Sequence, residues 1–115
     1  MKGNLIREKS FDFALQIVRL YQRMRNSHEY VLSKQLLRCG TSIGANIEES
    51  SAAQSRSDFI SKLSIASKEA RETRYWLRLI QKSKLVDIDL TDELDKVEEL
   101  IRLLTAIVKT SGEKQ

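Results

Sequence analysis

Apolar residues recur along this chain every three or four positions, in four stretches separated by short polar breaks. That spacing is the period of one helical face. In the first stretch Phe13 or Ala14, Ile17, Leu20 or Tyr21 and Met24 make the face, with Phe11 and Val18 widening it. Ser10 is an acceptable N-cap, although Asn4 would start the helix a turn or two earlier. Asn26-Ser27-His28 reads as a tight turn, so the second helix returns antiparallel to the first. The second stretch, about Glu29 to Ala53, carries Leu32, Leu36, Cys39, Ile43 and Ile47. Ser55-x-x-Asp58 has the form of a capping box and opens the third and longest helix, which runs to about Lys84. Its seam is Phe59, Leu63, Ala66, Ala70, Thr73, Leu77 and Ile80. A connection over Leu85–Leu90 leads to a fourth helix, capped by Asp89 or Thr91, with Asp92, Glu93 and Asp95 at its positive dipole end. Leu94, Val97, Ile101, Leu104 and Ile107 or Val108 form its core face, and Ser111-Gly112 is expected to end it, with a loose tail at about 111–115. The chain reads as all-α: one antiparallel, up-and-down four-helix bundle over residues 1–115.

The packing turns on the second helix. Gly40 and Gly44 fall in its interior one turn apart, and each costs roughly 1 kcal/mol relative to alanine. Close approach is the available offset: Gly40, Thr41, Gly44 and Ala45 make a flat strip for another backbone, expected to be that of the third helix. Beside the strip, Arg38, Ser42, Asn46 and Glu49 share a polar face. With Ala53 near Ser57, Arg38 falls near Glu69 and Glu72, Glu49 near Lys62, and Asn46 hydrogen-bonds across the helices. The third helix also carries Ile60, Ile65, Trp76 and Leu79 off its seam. Large apolar residues outside the core face point to a subunit interface over Ile65, Trp76 and Leu79; the alternative is that Trp76 covers the edge of its own core.

Composition sharpens this picture in one respect: there is no proline, as long uninterrupted helices require. The single cysteine, Cys39, sits on an apolar helical position and reads as a small buried hydrophobe. The opening MKGNLIREKSF lacks an apolar run of signal-peptide length, and no stretch is long and apolar enough for a membrane span, so a soluble cytoplasmic protein is expected. Net charge is +4 but uneven, with +5 over residues 1–38, +3 over 39–84 and −4 over 85–115. Such asymmetry fits either a basic surface for nucleic acid or helices that complement one another.

No enzymatic constellation emerges. A di-iron bundle needs two Glu-x-x-His pairs, and His28 is the only histidine. Glu48, Glu49, Glu69 and Glu72 offer a carboxylate-only metal site on paper, but cations are their expected partners. The serines have no base to activate them, and no phosphate-binding loop is present, so neither catalysis nor a cofactor is expected. What remains is basic surface. Lys68, Arg71, Tyr75, Arg78 and Lys82 recur on one side of the third helix with Arg74 adjacent, and Arg19, Arg23 and Arg25 add charge from the first. Such a stripe can track phosphates while Tyr75 stacks on a base. The alternative is a solvated face paired with the acidic fourth helix, favoured for a monomer. In a ring the stripe would repeat about the axis and its field would add.

These residues carry a resemblance. Gln35-Leu36-x-Arg38, Ser42-Ile43-x-Ala45-Asn46-x-x-Glu49, Arg56-Ser57-x-Phe59 and Leu63-x-Ile65-Ala66 followed by Glu69 and Glu72 resemble the bacterial four helix bundle protein family, also called the 23S rRNA intervening-sequence protein family. The resemblance covers about residues 9–110. It implies a homopentamer, barrel-like around a central channel, and a non-enzymatic accessory role. A related protein, the accessory variability protein of diversity-generating retroelements, binds nucleic acid and a reverse transcriptase through a basic surface. The implied partners are therefore other copies of the chain, RNA or DNA, and a nucleic-acid-processing protein. An oligomeric protein–protein adaptor is the alternative. Gly44, often proline in the family, and Ser50, often glycine, depart from the pattern, and loss of the proline should straighten the second helix.

Overall fold

The computed structural model describes residues 2–113. In them four helices follow one another, α1 (Lys2–Asn26), α2 (Leu32–Ser50), α3 (Arg56–Ser83) and α4 (Thr91–Glu113), with no strand among the described residues. They pack into one rod of 47 × 21 × 21 Å. α2 lies against α1 and α3, and α4 against α3 and α1, whereas α1 and α3 make no close backbone approach and stand diagonally across the core. The expected seams are buried: Phe13, Ile17, Leu20 and Met24 on α1, Leu36, Cys39, Ile43 and Ile47 on α2, and Leu63 through Ile80 on α3. Ile6 and Leu100 join them. Burial pushes the Cys39 thiol up, as befits a small core hydrophobe.

Three helix boundaries have visible causes. The Ser55 hydroxyl accepts the Asp58 amide at 3.0 Å, the forward half of the expected capping box, while the Asp58 carboxylate takes the amide of Gln54 and not that of Ser55. Lys84, at φ 55°, closes it in the left-handed conformation. At the start of α2 the cap is Glu29, whose carboxylate accepts the amides of Val31, Leu32 and Ser33 at 2.7–3.0 Å. His28, at φ 67°, reverses the chain just before it. Partial burial works against the Glu29 charge, but these amides outweigh it and hold the carboxyl below its usual range.

Several expectations are corrected. α1 runs straight through Ser10, which caps nothing: its hydroxyl donates to Arg7 O at 3.1 Å and the residue is buried. Phe11 and Val18 do not widen the core face; they are 64% and 39% exposed, because about 100° of rotation per residue carries them off the Ile17 seam. α4 continues through Ser111 and Gly112 to Glu113. Gly112 has no positive φ and ends no helix, and the rest of the expected tail, residues 114–115, lies outside the described residues.

The glycine strip is used, but against a different neighbour. A Cβ on Gly40 would stand 2.9 Å from both Cγ1 and Cγ2 of Ile17, and one on Gly44 would stand 3.3 Å from the Ser10 carbonyl oxygen. Both partners are on α1, so the glycines are seated against α1, while α2 packs closely on α3 as well. α2 stays unbroken through Gly44.

Two stability predictions follow from these contacts. Gly40→Ala must displace a buried β-branched side chain, an overpacking loss of about 1–3 kcal/mol that exceeds the roughly 1 kcal/mol gained in helix propensity. Gly44→Ala meets a backbone atom needing only slight relief and should be nearly neutral. Urea unfolding should therefore show Gly40→Ala as the less stable variant, with part of the loss recovered in the double variant with Ile17→Val. Glu29→Gln should cost about 0.5–2 kcal/mol at neutral pH. A lowered folded-state pKa gives stability that is present above the unfolded value and lost as pH falls through the folded one. Acid unfolding profiles of Glu29→Gln and the parent should accordingly converge at low pH.

Candidate nucleic-acid interface

The seam of α3 points into the bundle, and the opposite side of the helix carries Lys68, Tyr75, Arg78 and Lys82, all exposed. The expected stripe is narrower than its sequence. Arg74 turns to α4 and pairs with Glu98 at 3.1 Å, and Arg71 Nη2 donates to Thr105 Oγ1 at 3.4 Å. Both lie on the flank of α3 that faces α4, and Arg74 follows the complementary-helix reading. Tyr75 is 59% exposed and meets Trp76 edge-on, with ring centroids 5.2 Å apart.

Arg19 and Arg23 are exposed on α1, the helix diagonal to α3, and so do not join the α3 stripe in one face. Periodicity places residues on a helix but does not say which helices are neighbours. A feature not anticipated lies at the α1–α2 turn. The Arg25 guanidinium carbon is 5.6 Å from the Tyr21 ring centroid and 5.1 Å from that of Tyr30. The Tyr30 hydroxyl is also 2.9 Å from His28 Nδ1. The i, i+4 spacing of Tyr21 and Arg25 was readable; the return of Tyr30 was not.

The polar motif residues are brought together as their register predicts. Arg38 reaches Glu69 at 3.4 Å and forms a second, shorter bond with Glu72, while Lys62 meets Glu49 at 2.8 Å. Partial burial opposes the Arg38 charge, but Glu72 and Glu69 outweigh it and raise its pKa. Asn46 corrects the expectation of a cross-helix bond: its Nδ2 donates to the Ser42 carbonyl at 2.9 Å and hydroxyl at 3.1 Å, one turn back on its own helix. Arg56 Nη1 donates to Ser111 O at 3.2 Å, tying the start of α3 to the end of α4. Glu48 is held by Arg7 at 2.6 Å, so each of the four carboxylates considered for a metal has a cationic partner. Among the described residues no group of three His, Cys, Asp or Glu side chains is placed to hold a metal ion. No helix among them is long and apolar enough to cross a membrane.

Of the three residues assigned to a subunit interface, Trp76 is half-buried. It packs on the edge of the core, and its Nε1 donates to Glu72 Oε2 at 3.0 Å. Ile65 and Leu79 remain 40% and 38% exposed beside the basic stripe. The more exposed apolar row is on α1: Phe11, Leu15 and Val18, at helical spacing on its outer side.

The family description "23S rRNA-intervening sequence protein" matches residues 2–106. The chain belongs to that family. It is also similar to a crystal structure of a protein of unknown function from the S23 ribosomal protein family of Bacteroides thetaiotaomicron VPI-5482. Identity is 48%, the match covers 95% of this chain and 99% of that one, and the TM-score is 0.90. No curated protein matches the chain. Arg38, Glu49, Glu69 and Glu72, which link α2 to α3, all lie within the span matched to the 23S rRNA-intervening sequence protein family.

Proposed function

We propose that this member of the 23S rRNA-intervening sequence protein family is a non-enzymatic, self-associating, cytoplasmic bundle that binds nucleic acid along the outer side of α3. One observation carries the reading. On α3, Lys68, Arg78 and Lys82 stand exposed around Tyr75 without an ion-pair partner among the described residues, whereas Lys62 and Arg74 on the flanks of the same helix have one. Cations left unpaired in a row form a surface able to replace the counterions of a phosphate backbone, and an exposed tyrosine among them offers a stacking face.

Self-association follows from the apolar surface. Phe11, Leu15 and Val18 on α1 and Ile65 and Leu79 on α3 are carried by diagonal helices. A contact pairing one patch with the other is head-to-tail, and such contacts close into rings when the rotation permits. The homopentamer implied by the resemblance is such a ring, and it would repeat the α3 stripe about its axis. The same reading takes the helices as antiparallel, up and down, since Arg7 meets Glu48 and Ser10 meets Gly44. The apolar α1 row also favours a second reading, a protein adaptor whose partner docks there in place of another copy.

Two measurements test this. Binding to single-stranded RNA and to duplex DNA should weaken steeply with salt. Replacing Lys68, Arg78 and Lys82 together by glutamine should lower the log–log salt slope by roughly 0.7–0.9 for each phosphate that is no longer neutralised. Salt-insensitive or absent binding, with a specific protein recovered after nuclease treatment, would transfer the case to the adaptor. Light scattering on the eluting protein should give a multiple of 13.3 kDa. Phe11→Ser with Leu15→Ser should shift it toward a single subunit, and a monomeric parent would sink self-association.

A further inference from the structure

One end of the bundle carries a half-open apolar pocket. Where the start of α1, the end of α2, the start of α3 and the end of α4 meet, a chamber of about 360 Å³ opens among Ile6, Ile47, Phe59, Leu63 and Ile107. The cause is legible in the seams. On α2 the buried series Ile43, Ile47 ends in Ser50, and on α4 the apolar series through Leu104 and Ile107 ends in Ser111. A leucine at either place would close the space; a serine leaves it open. The Ser50 hydroxyl is already engaged, donating to Ile47 O at 2.6 Å, so it adds little polarity to the wall.

A second hollow adjoins the first, sharing Ser50, Ser51, Phe59, Thr110 and Ser111 with it and adding Arg56. The two hollows share serine and threonine hydroxyls, and the Arg56 guanidinium lines the second. Arg56 gives a single hydrogen bond to Ser111 O and has no carboxylate partner among the described residues, which leaves most of its five N–H donors free. The other arginine at the rim, Arg7, is held by Glu48 at 2.6 Å. The neighbouring acid, Asp58, is turned back to the Gln54 amide at 3.4 Å. An apolar pocket in the size range of small-molecule sites, with the Arg56 guanidinium in the hollow that adjoins it, matches a ligand that is apolar along its body and anionic at one end.

We propose that this chamber binds a single-chain alkyl carboxylate, its chain among Ile6, Ile47, Phe59 and Leu63 and its carboxylate on Arg56. The proposal stands apart from the nucleic-acid reading, since none of these residues lies on the outer stripe of α3. Calorimetric titration of the full chain with decanoate, decanol and decylammonium, each below its micelle concentration, tests it. Saturable binding of decanoate, weaker binding of decanol and none of decylammonium are expected. Arg56→Gln should weaken decanoate roughly tenfold, the worth of a charge-assisted hydrogen bond, and leave decanol unchanged. Ser50→Leu, or Ser111→Leu should the first not fold, should abolish binding of both. Absence of saturable binding, equal affinity for decylammonium, or unaltered decanoate binding in the filled variant would each overturn the proposal.

Discussion

The bundle depends on how near α1 can come to α2. Gly40 leaves room for the Ile17 side chain and Gly44 for the Ser10 carbonyl, and a Cβ at the first would already stand inside normal contact distance at 2.9 Å. Two helices seated this closely have little rotational freedom, because interiors are packed to crystal-like density. The seating therefore decides what else each helix presents. It buries Ser10, brings Arg7 to Glu48, and turns Phe11, Leu15 and Val18 to the outside. The apolar row available for a partner on α1 is a direct consequence of the glycine contact on α2. One cannot be rotated inward without lifting the other out.

Much of this is legible in the order of residues alone. The 3.6-residue period marks the α3 seam residue by residue, and the Ser55–Asp58 box places its start. Register across a short connection is enough to pair Arg38 with Glu69 and Glu72, and Glu49 with Lys62. What escapes shares a physical cause: one side chain with two uses. Serine is both a cap and a small residue, and at Ser10 the smallness is what the packing needs. Asparagine can bond across helices or back along its own, and Asn46 takes the local partner at no cost in geometry. Glu29 is an uncommon cap, reaching three amides because His28 bends the chain beneath it. Which helix receives the glycine face is a matter of tertiary neighbours, and no one-dimensional pattern holds that information.

α3 meets three demands at once. Its seam fills the core, its flanks bind α2 through Glu69 and Glu72 and α4 through Arg74, and its outer side keeps Lys68, Arg78 and Lys82 for whatever lies beyond. The division follows from angle: on the flank toward α4, Arg74 finds Glu98 and Arg71 finds Thr105, and the cations turned away have no such partner among the described residues. Exposed ion pairs contribute little stability each, so the pairings on the flanks matter more for register than for strength. The unpaired residues on the outer side contribute still less to the fold. Like charges spaced along one face repel mildly, which makes them a small cost to the isolated subunit that a polyanion would reverse.

The chamber at the meeting of the four helix ends obeys the same packing rule from the other direction. An unfilled apolar volume in a core lowers stability in proportion to its size, since its lining lacks neighbours on one side. A bundle tolerates that loss more readily at its end than at the Gly40 level, where a displaced Ile17 would separate α1 from α2 along their length. Small residues at Ser50 and Ser111 thus leave the pocket open at the end of the bundle, next to the hollow that Arg56 lines. The glycine contact and this pocket lie at different heights of one rod, so a change in how the pocket is filled need not disturb the seating of α1 on α2.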